Sequence, residues 1–222
     1  MFLFKSLVLI GFVFSAIIGQ NADDTRAILH RSAAINSADS ATLSNATASA
    51  LRSAKVPGGI VFVGGCGNDP MYTFSHAGPT LEDALHSVIR SNPRYEWTIV
   101  KGVVNVRPVN GELSLLSVNM RNVEIKKAYS LDLVASELLS VAEVRRRMTE
   151  LNFTPGYVRL GMNDLPRSTD TRMKEPPAYQ FRNVTLREAL DSVARRHGTA
   201  VWEYRENHCK GKTEVQLQFL VR

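Results

Sequence analysis

Apolar positions recur along this chain at a helical rhythm in two separate places. Between Thr80 and Trp97, the residues Leu81, Ala84, Leu85, Val88 and Ile89 fall three or four apart, which puts them on one stripe of a helix. The stripe returns as Leu186, Ala189, Leu190, Val193 and Ala194. A shift of 105 positions superposes the two stretches with eight identities in eighteen: Thr80 on Thr185, Leu81 on Leu186, Ala84 on Ala189, Leu85 on Leu190, Ser87 on Ser192, Val88 on Val193, Arg90 on Arg195 and Trp97 on Trp202. A unit repeated at fixed spacing predicts an internal duplication.

Each stripe opens on a threonine with an acid three residues later, Thr80 with Asp83 and Thr185 with Glu188. This is the spacing of a capping box, in which the hydroxyl accepts from a first-turn N–H and the acid reaches back to the cap; Asp83 is the shorter and weaker partner. Asn92-Pro93 and His197-Gly198 stop the helices, and each is followed by a hairpin. The first hairpin is expected over Tyr95–Val100 and Val103–Val106 around Lys101-Gly102, the second over Thr199–Tyr204 and Thr213–Val221 around Lys210-Gly211. Trp97 and Trp202 occupy the same place in the first hairpin strand, so both are expected to pack, largely buried, on the helix above.

Upstream of each helix lies a short aromatic strand, Tyr72-Thr73-Phe74 and Tyr179-Gln180-Phe181. Further upstream, helices are expected over Asp24–Ser32 and Thr42–Ala54, the latter ending before Pro57-Gly58. Gly59–Val63 is a continuous β-branched run that suits a buried strand. The same order returns as a helix over Leu131–Leu151, then Pro155-Gly156, then a strand over Tyr157–Gly161. An irregular loop rich in proline follows, from Met162 to Ala178. The expected fold class is α+β: two tandem βαββ modules, each preceded by a helix and a strand, spanning 37–108 and 112–222, with an N-terminal segment over 20–36.

The first nineteen residues carry one charge, Lys5, and then an apolar run from Leu7 to Ile18. Spanning a bilayer takes about 20 apolar residues, so 1–19 reads as a secretory signal peptide. Ile17 and Gly19 fit the small-residue cleavage pattern poorly, and an uncleaved anchor is the alternative and the one membrane contact expected. The net charge of +6 would favour nucleic acid in a cytosolic protein; export removes that partner and directs the charge towards anionic envelope polymers or mere solubility. Arg145, Arg146, Arg147 and Arg195, Arg196 lie late in helices, where cations favour the carbonyl end of the dipole. If the two clusters faced one way, they would form an anion-binding patch.

Cys66 and Cys209 are the only cysteines. In an oxidising compartment they either pair, tying one module to the other, or remain as free or intermolecular thiols. A metal site would need Cys66, His76, His208 and Cys209 to converge without a recognised spacing, and none is expected. A thiol hydrolase would use Cys66 with one of His76, His86, His197 or His208; His86, His197 and His208 are each more simply a surface or cap residue. The glycines around Gly64-Gly65-Cys66-Gly67 lack the Gly-Lys-Ser/Thr of a phosphate loop and read as a flexible loop.

The Tyr-x-Phe strand, the Thr-Leu-x-x-Ala-Leu helix start and the hairpin together resemble the short N-terminal domain of secretins and TonB-linked receptors, the STN domain. The resemblance covers Met71–Pro108 and Ala178–Val221. It implies a small periplasmic βαββ module without catalytic residues or cofactors, working through protein contacts in secretion or signalling assemblies. The chain has no room for a secretin ring or a receptor barrel after the modules. The expectation is thus a periplasmic or secreted, non-catalytic interaction module whose partner is an envelope protein or an anionic envelope polymer. The rival is a periplasmic thiol- or metal-dependent hydrolase centred on Cys66. The text common to both halves encodes core and caps, so function is expected in what differs: Gly64–Pro70, Met162–Pro177 and the basic helix ends.

Overall fold

The computed structural model describes residues 24–35, 40–67, 69–74, 78–110, 115–126, 128, 130–156 and 177–220. The signal segment, His76, the strand expected over Tyr157–Gly161 and the Met162–Pro177 loop except Pro177 lie outside these residues. After a short helical segment over 24–29, the elements are α1 (Leu43–Ser53), β1 (Gly58–Gly64), α2 (Leu81–Ser91), β2 (Tyr95–Val100), β3 (Val103–Pro108), β4 (Asn119–Ile125), α3 (Leu131–Ser140), α4 (Ala142–Glu150), β5 (Phe153–Pro155), β6 (Tyr179–Thr185), α5 (Leu186–His197), β7 (Val201–Cys209) and β8 (Lys212–Leu220).

Helices and a mixed sheet make an α+β fold. Six strands form one sheet in the order β2-β3-β1-β7-β8-β5, and β4 pairs with β6 in a separate ribbon. The three central strands β3, β1 and β7 are parallel. Each half of the sheet is a hairpin followed by a strand parallel to the hairpin's second member: β2-β3 with β1, and β7-β8 with β5. The two trios run in opposite senses, and side chains alternate across the sheet accordingly. Ile60, Phe62, Val104, Val106 and Val201 join α1 and α2 in one core, whereas Val61, Trp202, Tyr204, Val215, Leu217 and Phe219 join α3, α4, α5, β4 and β6 in the other. Helices therefore cover both faces. Among the described residues no helix is long and apolar enough to cross a membrane.

Local chemistry explains the element ends. Thr80 with Asp83 and Thr185 with Glu188 close both capping boxes. Just behind each cap the first helical N–H bonds back to an upstream carbonyl, Leu81 to Arg31 at 2.8 Å and Leu186 to Val118 at 3.0 Å. The turn pairs Lys101-Gly102 and Lys210-Gly211 all have positive φ, between 49° and 79°, the twist that two-residue hairpin loops require.

Several expectations change. The helix expected over Leu131–Leu151 is two helices, broken where Val141 adopts φ −58°, ψ 136°; the break lets Val144 and Met148 turn into the core. An unexpected short strand, β5, ends at Pro155, and the Gly156 N–H bonds the Val215 carbonyl. Tyr72 makes only an isolated bridge to Ala41, whereas Tyr179 begins a full strand. The ribbon partner β4 was not foreseen, because its buried residues Met120, Val123 and Ile125 do not alternate strictly.

The two tryptophans also part company. Trp202 is fully buried on central β7, while Trp97, on outer strand β2, is only partly buried and meets the His86 ring edge-on at 5.6 Å. An outer strand has a neighbour on one side only, so the same position loses half its cover. Any side chain at Gly59 would collide with the Trp202 indole. Trp202→Ala is expected to lower stability by ~3–5 kcal/mol and Trp97→Ala by only ~1–2 kcal/mol. Urea denaturation of both variants checks the order, and equal losses would contradict it.

Candidate functional site

Strand pairing opens a crevice. β1 pairs with β3 only from Gly58 to Ile60 but with β7 all the way to Gly64, while β3 continues along β2 to the pair Pro108 and Tyr95. The parallel strands β1 and β3 thus diverge at their carboxyl ends. The Tyr95 phenol fills the wedge and accepts a hydrogen bond from the Val63 N–H at 3.2 Å; burial pushes its pKa above the ordinary phenol value. Phe62 stacks beside Tyr95 with centroids 6.2 Å apart, and the Arg205 guanidinium lies 4.5 Å over the Phe62 ring.

Above the wedge is a cavity of about 860 Å³, walled by Gly64–Gly67, Asp69, Tyr72, Arg94, Glu206 and His208. Crevices at the carboxyl ends of parallel strands are the usual ligand position in open mixed sheets. The loop that makes one wall is held at two points. Cys66 is bonded to Cys209, 143 residues away, with a Cα–Cα distance of 4.8 Å, and Asp69 pairs with Arg205 at 2.5 Å. Arg205 also meets Glu203 at 3.0 Å; burial opposes its charge, but the two carboxylates outweigh that and hold its pKa above the ordinary value.

On the opposite wall, Glu206 is buried and accepts from the Tyr204 hydroxyl at 2.6 Å. Burial, then the adjacent carboxylate, pushes the Tyr204 pKa up, so it remains a donor. His208 lies 3.5 Å from Glu206 through Nε2 and 2.8 Å from the Thr213 hydroxyl through Nδ1. The Asn92 amide donates to the Tyr72 hydroxyl at 3.0 Å. Arg94 is exposed at the mouth and has no ion pair among the described residues.

Of the residues singled out from the sequence, the cavity gathers Cys66 and His208, with Cys209 bonded behind them. The bridge occupies the Cys66 sulfur that a thiol mechanism or a Cys/His metal site would need. His86 packs against Trp97. His197 Nε2 lies 2.6 Å from the Tyr179 hydroxyl, and burial, then Arg196, lowers its pKa. Among the described residues no group of three or more His, Cys, Asp or Glu side chains is placed to hold a metal ion.

The basic helix ends are engaged locally. Arg146 and Arg147 both pair with Glu150, at 3.8 and 3.0 Å, while Arg145 is exposed. Arg195 donates to the Lys101 carbonyl at 3.4 Å, and Arg196 donates to the Ala178 carbonyl at 2.8 Å while covering the Tyr179 ring. Neither cluster lines the cavity. The residues that do shape it, Tyr95, Arg205, Glu206 and Arg94, were not foreseen. The available signal was charge beside apolar residues: Glu203, Arg205 and Glu206 alternate with or follow Val201, Trp202 and Tyr204.

A second, smaller cavity of about 260 Å³ is lined by Lys101, Arg182, Asp191 and Arg195. Asp191 accepts from Trp202 Nε1 at 2.9 Å and from the Asn105 amide at 3.4 Å. Burial pushes its pKa from 3.8 up to about 6, against those hydrogen bonds and the nearby Arg187 and Arg195.

Two outcomes follow from these arrangements. Because the bridge closes a loop spanning 143 residues, Cys66→Ser with Cys209→Ser should lower stability by up to about 5 kcal/mol in the chain-entropy model; denaturation with and without reductant measures it. Because folded Asp191 holds its proton to higher pH than the unfolded carboxyl, its contribution is full below pH 3.8 and lost as pH rises through about 6. The loss is of order 3 kcal/mol. Asp191→Asn should flatten that part of the pH–stability curve, and an unchanged slope would show that Asp191 is not its source.

Compared with known protein families, characterised proteins and solved structures, the chain matches none.

Proposed function

We propose that this protein is an exported, non-catalytic interaction module of the bacterial envelope, built from two tandem STN-like units, that takes its partner at the cavity beside the Gly64–Pro70 loop. The observation that carries this reading is the Cys66–Cys209 bridge. It suits an oxidising compartment, periplasmic or extracellular. It also withdraws the sulfur on which the hydrolase reading depends, and it stiffens the wall of a binding cavity. A loop immobilised before its partner arrives loses less entropy on binding.

The cavity contents favour recognition over turnover. Asp69 is neutralised by Arg205, and Glu206 is engaged by Tyr204 and His208. Arg94 at the mouth has its charge free for an acidic group on the partner, an envelope protein or an anionic envelope polymer. Arg146, Arg147, Arg195 and Arg196 at the helix ends, already engaged with Glu150 or with backbone carbonyls, contribute less.

The test compares immobilised wild type, Arg94→Glu and Tyr72→Ala in cross-linked capture from envelope extract, together with ester and peptide hydrolysis by wild type and Cys66→Ser. Capture should fall at least about tenfold in both cavity variants, a loss of about 1.4 kcal/mol or more in binding, with circular dichroism unchanged. Hydrolysis by the wild type that disappears in Cys66→Ser, or capture indifferent to both cavity variants, would overturn the proposal.

A further inference from the structure

The two outer edges of the six-stranded sheet are finished differently. At the β5 end, Gly156 directs its N–H to β8, so alternation turns the preceding residue, Pro155, outward, where it has no N–H to offer. Where β8 runs beyond β5, Asp132 of α3 accepts the Phe219 N–H at 3.2 Å. That edge is closed against another strand. β2, at the other end, contains no proline or lysine, residues that commonly blunt an edge, and its one charge, Glu96, is paired with Arg107 on the neighbouring strand.

The register within the hairpin tells which groups β2 presents. The Val109 N–H bonds the Arg94 carbonyl at 2.8 Å, and with Glu96 opposite Arg107 and Thr98 opposite Asn105, alternation directs the N–H and C=O of Glu96, Thr98 and Val100 to β3. Those of Trp97 and Ile99 point away from the sheet, and among the described residues no strand pairs with them. Trp97 and Ile99 are also only partly buried, and Val100 is 51% exposed.

We infer that two copies of this chain join through β2, antiparallel about a two-fold axis at Thr98, into one sheet of twelve strands, six from each copy. The strand is self-complementary in that register. Trp97 of one copy faces Ile99 of the other, so both outward-pointing residues exchange hydrogen bonds with each other's counterparts. Their side chains then form one apolar cluster of two Trp and two Ile on the α2 side of the sheet. On the other side Glu96 meets Val100, and Thr98 meets Thr98, so no like charges oppose one another. Such an isologous contact is closed, and the blunted β5 edge prevents the sheet from growing further.

The inference is tested on the full exported chain by sedimentation velocity and by hydrogen exchange at rising protein concentration. Wild type should sediment as a dimer at micromolar concentration. The Trp97 and Ile99 amides should gain roughly 100-fold or more protection as the dimer forms, while the Glu96, Thr98 and Val100 amides, bonded to β3, stay protected throughout. Thr98→Lys and Thr98→Glu each set like charges face to face and should be monomeric alone with unchanged circular dichroism; mixed one to one, they should re-form a dimer. A wild type that stays monomeric, masses that climb beyond two copies, or amides at Trp97 and Ile99 whose exchange is independent of concentration would each overturn it. The exchange measurement needs no variant, so a substitution that fails to fold does not shelter the inference.

Discussion

The parallel pairing of β1 with β7 is the contact on which the rest of the molecule depends. It joins strands drawn from the two halves of the chain over seven residue pairs, Gly58 with Val201 through Gly64 with Asn207. Both faces of this seam carry buried polar groups that bind one half to the other. On the α1 side, Glu203 accepts from Ser44 at 2.6 Å and from Gln218, and also meets Arg205. On the α5 side, Asp191 collects the Trp202 indole and the Asn105 amide. A buried carboxylate is tolerated only when its oxygens are satisfied, so each network specifies one alignment of the halves. Glycine at position 59 is what lets the Trp202 indole lie flat across β1.

The cavity follows from the same seam. Because β7 holds β1 straight to Gly64 while β2 draws β3 aside at Pro108, the two strands must separate, and the space between them is roofed by the chain leaving β1. Bridging Cys66 to the end of β7 and pairing Asp69 with Arg205 then anchor that roof to the strand that created the opening. The site is therefore neither a loop property nor a strand property. It exists only where the first half's divergence meets the second half's hairpin.

The order in which the two trios are joined also explains why equal residues acquire unequal roles. Thr80 and Thr185 perform the same task, because a cap needs only the four residues that follow it. Trp97 and Trp202 do not. Each packs on the helix residue at the same relative position, His86 and Asp191 respectively, but one lies on the rim of the sheet and the other at its centre. The imidazole beside Trp97 remains close to solvent, whereas the carboxyl beside Trp202 is buried enough for its pKa to rise.

What could be read in the linear text was whatever short-range physics decides. Helical stripes, both capping boxes, the Lys-Gly turns of both hairpins and the α+β class depend on residues within about four positions of one another, and these are where the amino-acid order placed them. The break at Val141, the ribbon strand β4, the burial of one tryptophan and not the other, the meeting of Cys66 with Cys209, and the charges collected around Phe62 were decided by the tertiary structure alone. Each depends on which strand becomes whose neighbour. That choice is made by contacts between residues distant in the chain, such as Ile125 with Tyr179 and Gly58 with Val201, and no local spacing encodes it.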